Sequence, residues 1–172
     1  MGLSEEPLIR PEAIRERVRE IADAVSRDYQ GRELTLVVVL KGGTLFAADL
    51  MRALSIPVTV EYVRARSYDG NRSKGHVELT VLPERSLAGM DVLIVEDVLD
   101  TGRTTAAILD AIRAQAPSTV RLCVLLDKPE GHSSEITADY VGFTIDDWFV
   151  VGYGLDHNER YRELPAIHVF TP

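Results

Sequence analysis

Apolar residues recur along the chain with two distinct periods. After Pro11, residues Ile14, Val18, Ile21 and Val25 are spaced four, three and four apart, with Arg15, Glu16, Arg19, Glu20 and Asp23 on the other faces. That spacing predicts an amphipathic helix, entered through a proline and released near Gly31. Residues 34–40 (LTLVVVL) are instead an unbroken β-branched run, the pattern of a strand buried on both faces of a parallel sheet. Lys41-Gly42-Gly43 breaks it, and helical spacing resumes over residues 44–54. Residues 58–63 alternate as a strand, 64–76 (RARSYDGNRSKGH) are polar and glycine-bearing, and 77–82 are strand-like again. A second buried strand is predicted at 91–95, followed by a polar turn and a helix from about Thr104 to Gln115. Ala107, Ile108, Ala111 and Ile112 form the apolar side of that helix, and Pro117 ends it. Residues 120–126 (VRLCVLL) make a third buried strand, and 140–144, 149–153 and 167–170 are short strand candidates.

Strand, turn and helix in alternation, with strands apolar on both faces, predict an α/β fold with helices on both sides of a mostly parallel sheet. Ligands in such folds bind beyond the carboxyl ends of the strands. The polar turns after Leu40, Val95 and Leu126 are therefore where chemistry is expected. Composition narrows the class. The 172 residues suit one domain, and 19 basic against 27 acidic residues give a net charge of −8. An acidic chain without a basic stripe argues against nucleic acid or an anionic membrane as partner. No apolar run reaches the length of a membrane span. The first twenty residues are charged throughout and lack the core of a signal peptide. A lone cysteine, Cys123, calls for no oxidising compartment, so the expected location is the cytoplasm. His76, His132, His157 and His168 show no paired spacing for a zinc site.

The segment 95–105, V-E-D-V-L-D-T-G-R-T-T, carries the most chemistry. Three carboxylates (Glu96, Asp97, Asp100) within five residues at the end of a buried strand repel one another and lose hydration unless something compensates. The Thr/Gly run behind them opens a helix, whose free N–H groups and hydroxyls form a cradle for a phosphate. Acids on one side and a phosphate cradle on the other suit a sugar phosphate, with Glu96 and Asp97 accepting from ribose hydroxyls. Simple helix capping, with Asp100 near the cap, would need one acid and leaves two surplus.

This segment resembles the 5-phosphoribosyl-1-pyrophosphate (PRPP) signature of type I phosphoribosyltransferases, two acids after a hydrophobic strand and then a Thr-Gly phosphate loop. Three other stretches resemble the hypoxanthine–guanine branch of that family. L-K-G-G (40–43) is similar to its pyrophosphate loop, in which the Lys-Gly bond is often cis. Ser67-Tyr68 matches the Ser-Tyr of its active-site lid. The stretch 139–165, D-Y-V-G-F-T-I-D-D-W-F-V-V-G-Y-G-L-D-H-N-E-R-Y-R-E-L-P, is similar to its purine-binding end almost throughout.

The resemblance implies a type I phosphoribosyltransferase fold with a small hood. One domain over 1–172 is expected, with a core of about 34–130 and a base-binding hood of about 1–30 and 139–172. It implies PRPP contacts at Lys41, Gly42, Glu96, Asp97, Thr101, Gly102, Arg103, Thr104, Thr105 and Arg162. Lys128 would donate to the purine 6-oxo group, Phe149 would stack on the base and the Val150 backbone would read its edge. Asp156, with Glu96 and Asp97, would hold Mg2+, and Asp100 would act as general base. The reaction implied is hypoxanthine or guanine plus PRPP giving IMP or GMP and pyrophosphate, in a homodimer or homotetramer. A PRPP-sensing regulator on the same scaffold and a xanthine-preferring transferase are the alternatives. No role is implied for Trp148, and His157 adjoins the expected metal ligand.

Overall fold

The strand read as buried on both faces is buried along its whole length, and it forms the middle of a sheet. In the computed structural model, which describes residues 2–67, 77–133 and 135–171, the chain begins with β1 (Gly2–Leu3) and α1 (Pro11–Asp28) and then enters β2 (Leu34–Val39). Beyond it come α2 (Thr44–Ala53), β3 (Val58–Ser67), β4 (Val77–Val81), β5 (Asp91–Leu99), α3 (Arg103–Arg113), β6 (Thr119–Asp127) and β7 (Tyr140–Thr144). The last two strands are β8 (Val150–Val151) and β9 (His168–Thr171).

Six strands form one sheet in the order β4-β3-β2-β5-β6-β7. Neighbours from β3 to β7 run parallel, and β4 pairs antiparallel with β3 at the edge. In the register Leu34 lies level with both Val58 and Asp91, so β2, β3 and β5 start together. Their carboxyl ends consequently emerge along one edge. Helices cover both faces. The α1 stripe (Ile14, Val18, Ile21, Ala22, Val25) and Phe46 and Leu50 of α2 pack with Leu36, Val38, Leu93 and Val95. On the other side Ile108, Leu109 and Ile112 of α3 pack with Val37, Val39, Val92 and Ile94. Among the described residues no helix is long and apolar enough to cross a membrane.

Four expectations are corrected. The turn expected after Val95 does not begin there, because β5 continues through Glu96, Asp97 and Val98 to Leu99, paired with β6 as far as Asp127. The helix that follows starts at Arg103, ends at Arg113 and buries Leu109, while Ala107 and Ala111 stay half-buried. Residues 11–28, expected in the hood, form a core helix, because their apolar stripe needs the sheet face. Arg17 also donates to the Val141 and Gly142 carbonyls of β7, both at 2.8 Å. What lies apart from the main sheet is a small antiparallel sheet of order β1-β9-β8. Finally, the strand expected at 149–153 is only Val150–Val151: Gly152, Tyr153 and Gly154 take positive φ and turn the chain away.

Candidate active site

Alternation along β5 separates the first two acids. Val92 and Ile94 face α3, whereas Leu93 and Val95 face α1 and α2; Glu96 continues the first series and Asp97 the second. Glu96 is buried and accepts a hydrogen bond from the Thr105 hydroxyl at 2.9 Å. Burial, and then the Asp97 charge, push its carboxyl up to about 8 against the pull of that bond. Two expected roles change here. The Glu96 carboxylate is turned to the base of α3, on the face opposite Asp97, and the Thr105 side chain is committed to it, leaving only the Thr105 backbone for a phosphate.

Asp97 lies on the other face, against the loop that follows β2. A Cβ on Gly42 would overlap the Asp97 carboxylate, so only glycine fits at that point. Burial raises the Asp97 carboxyl to about 6, while the backbone N–H groups of Asp97 and Val98 and the Arg162 charge hold it down. The 40–43 loop is closed by Gly43 donating to the Val39 carbonyl and Thr44 to the Lys41 carbonyl. Its cis bond is Leu40–Lys41, one bond earlier than the Lys41–Gly42 bond that the resemblance suggested.

The next stretch is the cradle. Gly102 adopts φ +79 and precedes α3 with no side chain capping the helix. Asp100 therefore does not cap, and the N–H groups of Arg103, Thr104 and Thr105 stand at an open, positively polarised helix end. The Thr101 hydroxyl is 3.5 Å from the Arg103 nitrogen. Asp100 instead faces Lys128, whose ammonium, buried at 7% exposure, lies 3.7 Å from Asp100 and 3.5 Å from Asp147. Both distances are ion-pair range and longer than a good hydrogen bond, so an incoming acceptor can compete for the lysine protons.

Phe149 follows at the start of the hood, half-exposed at 46%. One edge of its ring is held by His157, with centroids 5.6 Å apart at 89°, and His157 stacks on Phe170 at 4.6 Å. Val150 is buried in β8. Trp148 is exposed. His157, expected beside the metal ligand, spends its ring in this aromatic cluster. Beyond it lies a cavity of about 420 Å³ lined by Gly2, His157, Asn158, Arg160, Tyr161 and Phe170.

The hood returns to the loop after β2. Gly154 (φ +99) lies so close to Gly42 that a Cβ there would overlap the Gly42 carbonyl. Arg162 donates to the Gly154 carbonyl at 2.7 Å and pairs with Asp156 at 2.8 Å and Glu159 at 3.3 Å. Lys41 pairs with the same Glu159 oxygen at 2.9 Å. Lys41, Arg162 and Asp156 are thus brought together, with Asp97 near enough to feel the charges of Arg162 and Asp156. Glu159 and Asp147 carry contacts that sequence inspection missed. The i,i+3 spacing of Asp156, Glu159 and Arg162 was a usable signal for the first; nothing local signals that Asp147 meets Lys128.

Among the described residues no three metal-ligating side chains converge on one point. Mg2+ takes most of its oxygens from substrate phosphates and water and needs one or two carboxylates from the protein. Asp97 and Asp156, whose charges interact, are the carboxylates that would hold it. Ser67 ends β3, and Tyr68 with the rest of the expected lid (68–76) lies outside the described residues.

Comparison with known proteins agrees with this geometry. The phosphoribosyl transferase domain family matches residues 9–158. The chain is 39% identical to the hypoxanthine-guanine phosphoribosyltransferase of Mycobacterium tuberculosis, over 96% of this chain and 85% of that protein. It is 41% identical to the bifunctional protein TilS/HprT of Listeria monocytogenes, of which it spans 26% of the length. Among solved structures, a hypoxanthine-guanine phosphoribosyltransferase from Bacillus anthracis superposes with a TM-score of 0.94 at 38% identity, covering 99% of this chain and all of that one. A hypoxanthine phosphoribosyltransferase from Trypanosoma cruzi gives 0.92 at 39%, covering 98% and 96%. Fold, motif order and these likenesses agree, and the chain belongs to the hypoxanthine-guanine phosphoribosyltransferase family.

Proposed function

We propose that the protein salvages purines: it transfers the 5-phosphoribosyl group of PRPP to N9 of hypoxanthine or guanine, giving IMP or GMP and pyrophosphate. The observation that carries this is the cluster Asp100–Lys128–Asp147, which sets a proton acceptor and a buried ammonium side by side, with the half-exposed ring of Phe149 two residues beyond Asp147 in the chain. A flat 6-oxopurine needs a stacking face, a donor to its oxo oxygen and an acceptor for the proton it loses.

Each residue then has a task. The 5′-phosphate binds the α3 N-terminus through the backbone of residues 101–105. Asp97, on the edge of β5, accepts from the ribose hydroxyls. Lys41 and Arg162 face the diphosphate, where charge accumulates as the C1–O bond breaks. Lys128 donates to O6, Phe149 stacks on the base, and the Val150 backbone reads its edge. Asp100 takes the purine proton as N9 attacks an oxocarbenium-like ribosyl centre. Asp97 and Asp156 would hold Mg2+, which when bound would supply charge neutralisation to the diphosphate. Ser67 and Tyr68 belong to a lid that keeps water from the cation.

A second copy of the chain is the expected partner, in a homodimer or homotetramer, since Leu45 and Met51 on α2 and Tyr62 on β3 are exposed apolar side chains. The cytoplasm is the expected location. The test is direct: incubate the protein with PRPP and Mg2+ and each of hypoxanthine, guanine, xanthine and adenine, and separate the products by chromatography. IMP and GMP are expected, with little or no AMP. PRPP binding without nucleotide formation from any purine would favour the regulatory alternative, and XMP as main product the xanthine one.

A further inference from the structure

β6 ends at Asp127, and the chain then passes through Lys128, a single 3-10 turn (Pro129–Gly131), His132 and Ser133. By itself this turn is weakly made, with Gly131 donating to the Lys128 carbonyl at 3.0 Å and His132 to that of Pro129 at 3.3 Å. It is nevertheless the wall against which Asp100 rests: a Cβ on Gly131 would sit 2.6 Å from the Asp100 carboxylate oxygen. Two sets of contacts hold the wall. The Lys128 N–H donates to the Leu99 carbonyl at 2.9 Å, and the Ser133 N–H and hydroxyl both donate to the Thr101 carbonyl, at 3.1 and 3.0 Å. These bracket Asp100 on either side. The other is His132, whose Nε2 lies 2.8 Å from the Asp127 carboxylate, with both side chains more than four-fifths buried. Asp127 is paired in the sheet with Leu99, the residue before Asp100.

From this geometry we infer that His132 and Asp127 are positioning residues for Asp100, resting on the assignment of Asp100 as proton acceptor. Neither is among the groups assigned to substrate. Their bond ties the far end of the turn back to the strand pair from which Asp100 projects, so the turn cannot lift and the carboxylate cannot rotate away. The tie holds with the imidazole neutral or charged, because Nε2 donates in the imidazolium and in the Nε2–H tautomer. A proton acceptor works only within about 2.6–3.2 Å of its target, and a displacement of about 1 Å can cost up to about a hundredfold in rate.

The experiment compares His132→Ala, His132→Gln, Asp127→Ala and the Ala/Ala double variant with Asp100→Asn, reading kcat, the KM of each substrate and Tm. His132→Ala is expected to lower kcat about tenfold with the KM of PRPP unchanged. His132→Gln, which keeps a donor, should recover most of the loss, and the double variant should be no worse than either single one. Wild-type kcat in His132→Ala beside an inactive Asp100→Asn overturns the inference alone. So does a loss spread equally over kcat and PRPP affinity, or additive losses in the double variant. A wild-type kcat in Asp100→Asn instead removes the assignment beneath it. If His132→Ala does not fold, His132→Met against His132→Gln is judged by the same criteria.

Discussion

The ammonium of Lys128 lies 3.7 Å from the carboxylate of Asp100, the two coming from the ends of adjacent strands. This pairing joins two demands of the reaction that are usually considered apart. The lysine that would recognise the purine stands beside the acid that would take its proton, so donor and acceptor reach the base from one place. Asp147, at 3.5 Å on the other side, brings the hood into the same cluster.

Replacing Asp100 with Asn keeps the shape of the site and removes the acceptor. Turnover is expected to fall by about 10²–10⁴, with PRPP affinity unchanged by calorimetry.

Lys128→Met fills a similar volume without the charge. It should lower kcat/KM for hypoxanthine and guanine by about 10- to 100-fold, the value of a hydrogen bond to a charged group, with little change in PRPP binding. Equal weakening of PRPP would show that the lysine serves the whole site and not the base alone.

Gly42→Ala drives a methyl group into the Asp97 carboxylate. Overpacking of this kind costs about 1–3 kcal/mol, and here it displaces the loop that carries Lys41. Raised KM for PRPP and weaker product inhibition by pyrophosphate are expected, with purine KM less affected.

Thr105→Val is nearly isosteric but takes away the hydrogen bond of buried Glu96. Stability should fall by about 1–3 kcal/mol, read as a lower denaturation midpoint. Thr105→Ser, which restores the hydroxyl, should recover most of it.

The acid limb of stability has an identifiable contributor away from the site. Asp28 accepts from the Tyr140 hydroxyl and from Arg121, each at 2.5 Å, and these bonds hold its carboxyl below its ordinary 3.8. A carboxyl with a depressed folded value stabilises above the unfolded value and loses that contribution as pH falls through the folded one. Asp28→Asn should therefore lower Tm near neutrality, and the gap to wild type should close as the pH drops below 3.8.

Much of this was legible in the sequence for a physical reason. Strands buried on both faces, such as 34–39 and 91–95, tolerate almost nothing but β-branched and aliphatic residues, and the helix at 11–28 must repeat its apolar contacts every turn. The 95–105 acids and threonines were visible because their chemistry is compressed into eleven consecutive residues. Their arrangement was not. Glu96 and Asp97 look like loop residues, yet they extend β5 and part to opposite faces, since strand pairing with β6 outweighs their polarity. Leu109 was overlooked because two alanines on the same helix mimic an apolar stripe. Contacts between distant positions, Lys41 with Glu159 or Lys128 with Asp147, leave no periodic trace at all.

The seam between Gly154 and Gly42 has a practical consequence. Main chain meets main chain there with no side chain to cushion the junction, so the segment that would seat the nucleobase and the loop that would grip the leaving group share one joint. Engineering this protein to take bulkier bases by rebuilding residues 149–154 would thus disturb the loop proposed to hold the departing diphosphate, and altered selectivity is better sought at Trp148, which is exposed, precedes Phe149 in the chain and takes no part in the joint.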